Sequence, residues 1–164
     1  MIGKLILSLA IFCIAIATPS MAGNFFYGTV KKVIDGDSLV IVSGKLNIEV
    51  RLYGVDCPEY DQQFSKDAKA FVRTRFLGRK VVVQPQYHDA YKRLVAIISS
   101  GEQTVNGQLV QAGLAWVYPH YCRKDVCKSW QKMERSAKKY ERGIWSGTQP
   151  PMPPWEWKRR KHSR

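Results

Sequence analysis

Residues 46–53 read Leu-Asn-Ile-Glu-Val-Arg-Leu-Tyr. Leu46, Ile48, Val50 and Leu52 alternate with Asn47, Glu49, Arg51 and Tyr53. A period of two over such a stretch marks a β-strand with one apolar face. Arg51 therefore points away from that face. Upstream, Phe25–Ile34 is rich in β-branched and aromatic residues and stops at Asp35-Gly36, a turn signal. Ser38–Val42 is a second apolar run that ends at Ser43-Gly44. Three strands thus precede the first helical pattern.

That pattern is Gln63–Leu77, in which Phe64, Ala68, Phe71 or Val72, and Leu77 can share a face before Gly78. Arg79–Pro85 and Tyr91–Ser99 read as strands, the second closed by Ser100-Gly101. Val105–Ala112 predicts a short helix stopped by Gly113, and Trp116–Tyr121 is aromatic and extended. Asp125–Arg142 predicts a long helix with Gly143 as its stop. Short strands with turn punctuation, interleaved with helices, point to an α+β fold, mainly β. They favour a small barrel over a doubly wound sheet.

The 164 residues carry 26 Lys and Arg against 13 Asp and Glu, a net charge of +13. Such a surplus attracts polyanions, with nucleic acid and an anionic membrane surface as candidates. Hydrophobic residues make up 45 %, which excludes a disordered chain. Lys4 followed by the apolar run Leu5–Ala17 and the Ser20-Met21-Ala22 site reads as a secretory signal over residues 1–22, cut after Ala22. The run is short for a spanning helix. The mature protein is therefore expected to be secreted or periplasmic, monomeric and not stably membrane-bound. One folded domain is expected over residues 23–147. Residues 148–164 would be a proline-rich linker, expected to be unfolded, and a basic tail with two tryptophans. That tail adds phosphate contacts or is simply a solvated end.

In an oxidising compartment Cys122 and Cys127 are the natural disulfide pair, the alternative being two free thiols. Cys57 is left single. His88, His120 and His162 show no zinc spacing.

Chemistry concentrates between Ile34 and Glu59. Asp35-Gly36-Asp37 alone suits a turn as well as a metal site. Beside Arg51, Asp56, Glu59 and the later Arg93, it completes a parts list for metal-assisted phosphodiester cleavage. Carboxylates hold a hard cation, arginines grip phosphate through paired donors, and one spare carboxylate activates water. The bland reading is a surface ion-pair cluster, which adds little stability. Trp116, Tyr118 and Tyr121 are candidates to stack on bases or to pack the barrel mouth.

Ile34-Asp-Gly-Asp-Ser38, Val50-Arg-Leu-Tyr-Gly-Val-Asp-Cys-Pro-Glu59 and Asp89-Ala-Tyr-Lys-Arg93 resemble the signature segments of the staphylococcal nuclease family. Gly113-Leu-Ala-Trp-Val-Tyr118 and Gly143-Ile-Trp145 extend the likeness, which spans Thr29 to Trp145. The resemblance implies an OB-fold five-stranded barrel with about three helices. It implies Asp37, Asp56 and the backbone carbonyl of Cys57 as Ca²⁺ ligands, with Asp35 outside the ligand set. Glu59 would be the general base, Arg51 and Arg93 would bind the scissile phosphate, and Tyr91 would contact a nucleotide phosphate. DNA and RNA would be cut at any sugar, leaving 3′-phosphate ends. The rival is a non-catalytic nucleic-acid-binding module. Two departures from the founding member, a short Tyr60–Ser65 loop and Ala90 in place of a lysine, bear on substrate grip.

Overall fold

The computed structural model describes residues 24–163. The expected signal segment lies outside them. Five strands form the barrel: β1 (Phe26–Val33), β2 (Ser38–Ser43), β3 (Leu46–Leu52), β5 (Lys80–His88) and β6 (Leu94–Ser100). The two-residue strand β4 (Val55–Asp56) follows β3 in the chain. Strands β1, β2 and β3 form an antiparallel meander, β1 also pairs β5, and β5 pairs β6. Closure comes from β3 and β6, which run parallel with Val50 opposite Leu94 and Arg51 opposite Val95. Closure leaves no long open edge. The short β7 (Gln103–Thr104) turns back and pairs antiparallel with the end of β6.

The alternation in β3 is realised at its end, where Val50 and Leu52 are buried and Glu49 is exposed; at its start Leu46 is 66 % exposed, and Tyr53 just past the strand is buried. Strand β5 runs past Pro85 to His88 across a bulge between Pro85 and Tyr87. Proline has no N–H for the ladder, so a bulge is where a strand tolerates it. The expected strand start at Tyr91 is displaced: residues 89–93 form a turn, and β6 begins at Leu94. Asp89 makes that turn, its Oδ1 accepting the N–H groups of Tyr91 and Arg93 at 2.9 Å each.

Helix α1 (Ser65–Phe76) buries Ala68, Val72 and Phe76, one side chain per turn. Phe76, not Leu77, completes the face, and Leu77 is 41 % exposed. The helix starts after Phe64, whose φ of 67° turns the chain sharply. Helix α2 (Val105–Gln111) is capped by Thr104, whose Oγ1 accepts the Gly107 N–H at 3.0 Å. Its buried Asn106 accepts the Ile98 N–H and donates to the Tyr53 carbonyl, tying the helix to the barrel. After the short β8 (Trp116–Val117), helix α3 (Val126–Lys139) buries Trp130 against Tyr53. Cys122 and Cys127 are joined by a disulfide.

A fourth helix was not expected. The segment read as an unfolded linker and tail contains α4 (Pro154–His162), with Pro154 at its first turn. Proline there needs no N–H partner and arrives with a helical φ. The preceding prolines thus lead into an ordered element.

Candidate active site

Three backbone devices bring the acidic and basic residues to one end of the barrel. The first is the turn between β1 and β2. Asp35 Oδ1 accepts the Asp37 N–H at 3.0 Å, and Ile34 N–H bonds to the Ser38 carbonyl at 2.9 Å. Gly36 sits at the centre because a Cβ there would lie 2.7 Å from the Cys57 sulfur and 2.8 Å from the Ala68 Cβ. Asp35 therefore shapes the turn that presents Asp37. The second device is the β2–β3 register, which sets Ser38 opposite Arg51 and so places Asp37 beside the guanidinium. The third is β4, which pairs with β8 and sets Asp56 opposite Trp116.

Arg51 spans the two acids. Its Nη1 lies 2.6 Å from Asp37 Oδ1, and its Nη2 is paired with Asp56 Oδ1. Both carboxylates are buried, Asp37 at 2 % and Asp56 at 1 % exposure. The second oxygen of Asp37 accepts the Cys57 N–H at 2.6 Å. Burial raises the Asp37 carboxyl to about 8, although Arg51 pulls it down. Burial raises Asp56 as well, again against Arg51. Burial also works against the Arg51 charge, but Asp37 and Asp56 outweigh it and its pKa rises. The barrel itself thus offers one guanidinium to two desolvated carboxylates. Burial pushes the Cys57 thiol up, so this lone cysteine is an inert packing group.

The parallel β3–β6 closure supplies the second arginine. Arg93 ends the turn that leads into β6, two residues before Val95, the partner of Arg51. Its Nε and Nη2 donate to Asp89 Oδ2 at 2.8 and 2.7 Å. Burial opposes the Asp89 charge, yet the Arg93 bonds hold its carboxyl below the usual range. Arg51, Arg93 and Tyr91 line one cleft of about 590 Å³, together with Tyr118, Tyr121 and Lys158. Glu59, its side chain 31 % exposed, does not line the cleft but pairs with Lys158, which does.

The structure therefore brings together Asp37, Arg51, Asp56, Glu59 and Arg93, and sets Tyr91, Tyr118 and Tyr121 around them. Trp116 is not available for bases: it is buried and meets Trp145 edge to face at 5.5 Å. One face of Tyr118 is already taken by Trp155, stacked at 4.5 Å and 10° between planes. Sequence reasoning gave Asp89 no role, and it left Lys158 and Trp155 in a tail read as adding phosphate contacts or as a solvated end. Lys158 Nζ lies 2.9 Å from Glu59 Oε1 and 3.9 Å from Asp56 Oδ1. The signal for Asp89 was its spacing to Arg93; for α4, two tryptophans within a basic run were the one hint.

Among the described residues, no three His, Cys, Asp or Glu side chains group into a metal cage. Asp37 and Asp56 remain as two hard oxygen donors, held by Arg51 with Lys158 3.9 Å from Asp56. Their chemistry fits a hard divalent cation that completes its shell with a carbonyl, water or phosphate oxygen.

Residues 49–147 match the family described as "Staphylococcal nuclease homologue". The chain belongs to the staphylococcal nuclease family. The chain is similar to an uncharacterized endonuclease of Escherichia coli, 30 % identical over 136 residues that cover 82 % of this chain and 86 % of that protein. A micrococcal nuclease of Shigella flexneri is 29 % identical over 143 residues, covering 82 % and 81 %. Protein ParB of Escherichia coli is 27 % identical over 164 residues, covering 94 % and 90 %. These relatives support an endonuclease function and a nucleic-acid substrate. The family match begins after Asp37 and ends before α4.

Proposed function

We propose that the protein is a Ca²⁺-dependent endonuclease that hydrolyses DNA and RNA phosphodiester bonds without regard to the sugar and leaves 3′-phosphate ends. The observation that carries this reading is the fork of Arg51 across buried Asp37 and Asp56, with Arg93 at the same cleft and Glu59 paired with Lys158, which lines it. We also propose secretion or export to the periplasm after cleavage at Ala22, and a monomeric domain over residues 23–147.

Each residue has a chemical task. Asp37 and Asp56, with the Cys57 carbonyl, would hold the cation. The bound cation would polarise the phosphorus–oxygen bond and neutralise charge. Arg51 and Arg93 would each turn a donor toward the scissile phosphate and stabilise the charge that grows on its oxygens. Glu59 would take a proton from a water in line with the phosphorus. The water oxygen forms the new bond to phosphorus, and the bond to the 5′ oxygen breaks. That oxygen leaves as a hydroxyl after taking a proton, and the phosphate stays on the 3′ side. Tyr91 and Tyr121 would contact the neighbouring nucleotide. Contacts directed at the backbone carry no base identity, so little sequence preference is expected.

The test is cleavage of plasmid and RNA across several divalent ions, with a chelator arm and a Glu59→Gln variant. Glu59→Gln is expected to keep Ca²⁺ and nucleotide affinity while kcat falls by about 10²-fold or more. Loss of metal binding in that variant would make Glu59 a ligand. Tight nucleic-acid binding with no cleavage by the wild type would leave a binding module.

A further inference from the structure

The loop that carries Glu59 has little of its own to hold it. After Asp56 the chain leaves the sheet, and residues 57–64 contain neither helix nor strand. Within the loop, the Gln62 N–H bonds to the Glu59 carbonyl at 2.8 Å. Tyr60 at its tip is 92 % exposed. The loop's ends are held by buried Cys57 and by Phe64 packed on the core, and Ser65 Oγ donates to the Tyr60 carbonyl at 2.9 Å; the side-chain contacts of Glu59, Asp61 and Gln62 reach the C-terminal segment. Lys158 Nζ lies 2.9 Å from Glu59 Oε1. Asp61 accepts from Trp157 Nε1 at 2.9 Å and pairs with Lys161 Nζ at 2.6 Å. Gln62 bridges the two segments: its Oε1 accepts the Glu59 N–H at 2.8 Å, and its Nε2 donates to the Met152 carbonyl at 3.0 Å. The Trp155–Tyr118 stack pins the first turn of α4 just beyond β8.

We propose that α4 is the scaffold of the Glu59 loop and that Lys158 is a positioning residue for hydrolysis, holding the Glu59 carboxylate toward the attacking water. This deepens the nuclease reading and rests on it. A plug that mimics substrate is the opposite possibility, and three observations argue against it. The cleft keeps about 590 Å³ with α4 in place. A phosphate mimic would set an acid on Arg51 or Arg93, yet the one acid of α4, Glu156, faces Arg159 at 4.0 Å. The Lys158 contact engages Oε1 of Glu59, and the carboxylate remains partly open to solvent. A general base works only from within hydrogen-bond reach of its proton, and a misplacement of about 1 Å lowers turnover by about 10²-fold.

The test compares full-length Lys158→Met and Lys158→Arg with wild type, using Lys45→Met as a charge-matched control at the far end of the β2–β3 hairpin. Cleavage kinetics at saturating Ca²⁺ are read beside amide hydrogen exchange of residues 59–64. Lys158→Met is expected to lower kcat by about 10- to 100-fold with KM within about threefold, and to speed exchange in the loop. Lys158→Arg is expected to restore most of both, because its guanidinium can still pair with Glu59. Lys45→Met should change neither. A higher kcat or tighter Ca²⁺ binding in Lys158→Met would make α4 an inhibitory plug and overturn the proposal. A rise in KM alone would reduce Lys158 to a phosphate contact and overturn it too, as would unchanged kcat and exchange. If the wild type cleaves nothing, the nuclease reading fails and the catalytic role of Lys158 with it. The exchange data still decide whether α4 holds the loop.

Discussion

The two walls of the cleft are built by different physics. The barrel wall carries Asp37, Arg51 and Asp56 on strand ends or the turn beside them, with both carboxylates buried and one guanidinium shared. Sheet register fixes their positions, so their charges cannot relax toward water. The C-terminal wall is α4, whose Trp155 and Lys158 line the cleft while Lys158, Trp157 and Lys161 tie it to a loop by surface contacts that solvent and salt can reach. Burial makes interactions strong and makes their loss costly; exposure makes them adjustable. The first wall is therefore suited to charge stabilisation, the second to setting the position of a loop side chain.

Breaking the barrel wall should give the largest effect. In Arg51→Lys a single ammonium replaces a fork that now touches Asp37 and Asp56 at once. Turnover is expected to fall by about 10²-fold or more, since preorganised charge at the reacting group supplies several kcal/mol. Arg93→Lys should also lose about 10²-fold, because one ammonium cannot reproduce the two bonds now made to Asp89 while still offering a planar donor pair to phosphate. Steady-state kinetics decide both, and turnover equal to wild type in either variant removes that arginine from the mechanism.

The same division explains what could be read from the sequence. The alternation around Arg51 forces its side chain off the apolar face, and that fact is local, so it was legible. That Asp37 and Asp56 would meet beside it was implied only by the family resemblance, because β4 pairs with the distant β8. The helix face of α1 was read one residue out at its end, because Leu77 and Phe76 are both apolar and only packing separates them. Tyr118 was read as a surface for bases, but its partner Trp155 lies far along the chain. Nothing near Glu59 announces that Lys158 will meet it. The prolines at 150, 151, 153 and 154 carry a linker's composition, and only tertiary contacts turn them into the approach to a helix. Long-range docking by exposed polar side chains leaves no periodicity to detect.

A smaller effect sharpens the claim that the barrel itself offers one guanidinium to two carboxylates. Burial holds the Asp37 carboxyl at about 8 in the folded protein, above its unfolded value of 3.8. The folded state therefore binds the proton more tightly than the unfolded state. The resulting stability is fully present below the unfolded pKa and is lost as pH rises through the folded one. Without divalent cation, Tm should fall as pH is raised from about 5 to about 9, and Asp37→Asn should flatten that slope. Ca²⁺ should restore the wild type at high pH and leave Asp37→Asn unmoved. A metal-free melting profile that ignores pH in the wild type would show that Arg51 already satisfies both carboxylates.

The smallest effect concerns the C-terminal wall alone. Its contacts to the loop are ion pairs of Lys158 and Lys161 and a hydrogen bond from Trp157, all at the surface. The Lys161 pair and the Trp157 bond hold the exposed Asp61 carboxyl below its usual range. Such pairs are screened over a Debye length that shrinks from about 14 Å near 50 mM salt to about 4 Å near 500 mM. Over that change, amides of residues 59–64 are expected to exchange a few-fold faster while amides of β3 and β6 keep their rates. Nucleic acid must be absent, because salt also weakens its phosphate contacts. Equal protection of loop and barrel at high salt would mean that the aromatic stack of Trp155 on Tyr118 holds the wall without help from charge. The loop would then depend on packing, as the barrel wall does, and the contrast between the two walls would disappear.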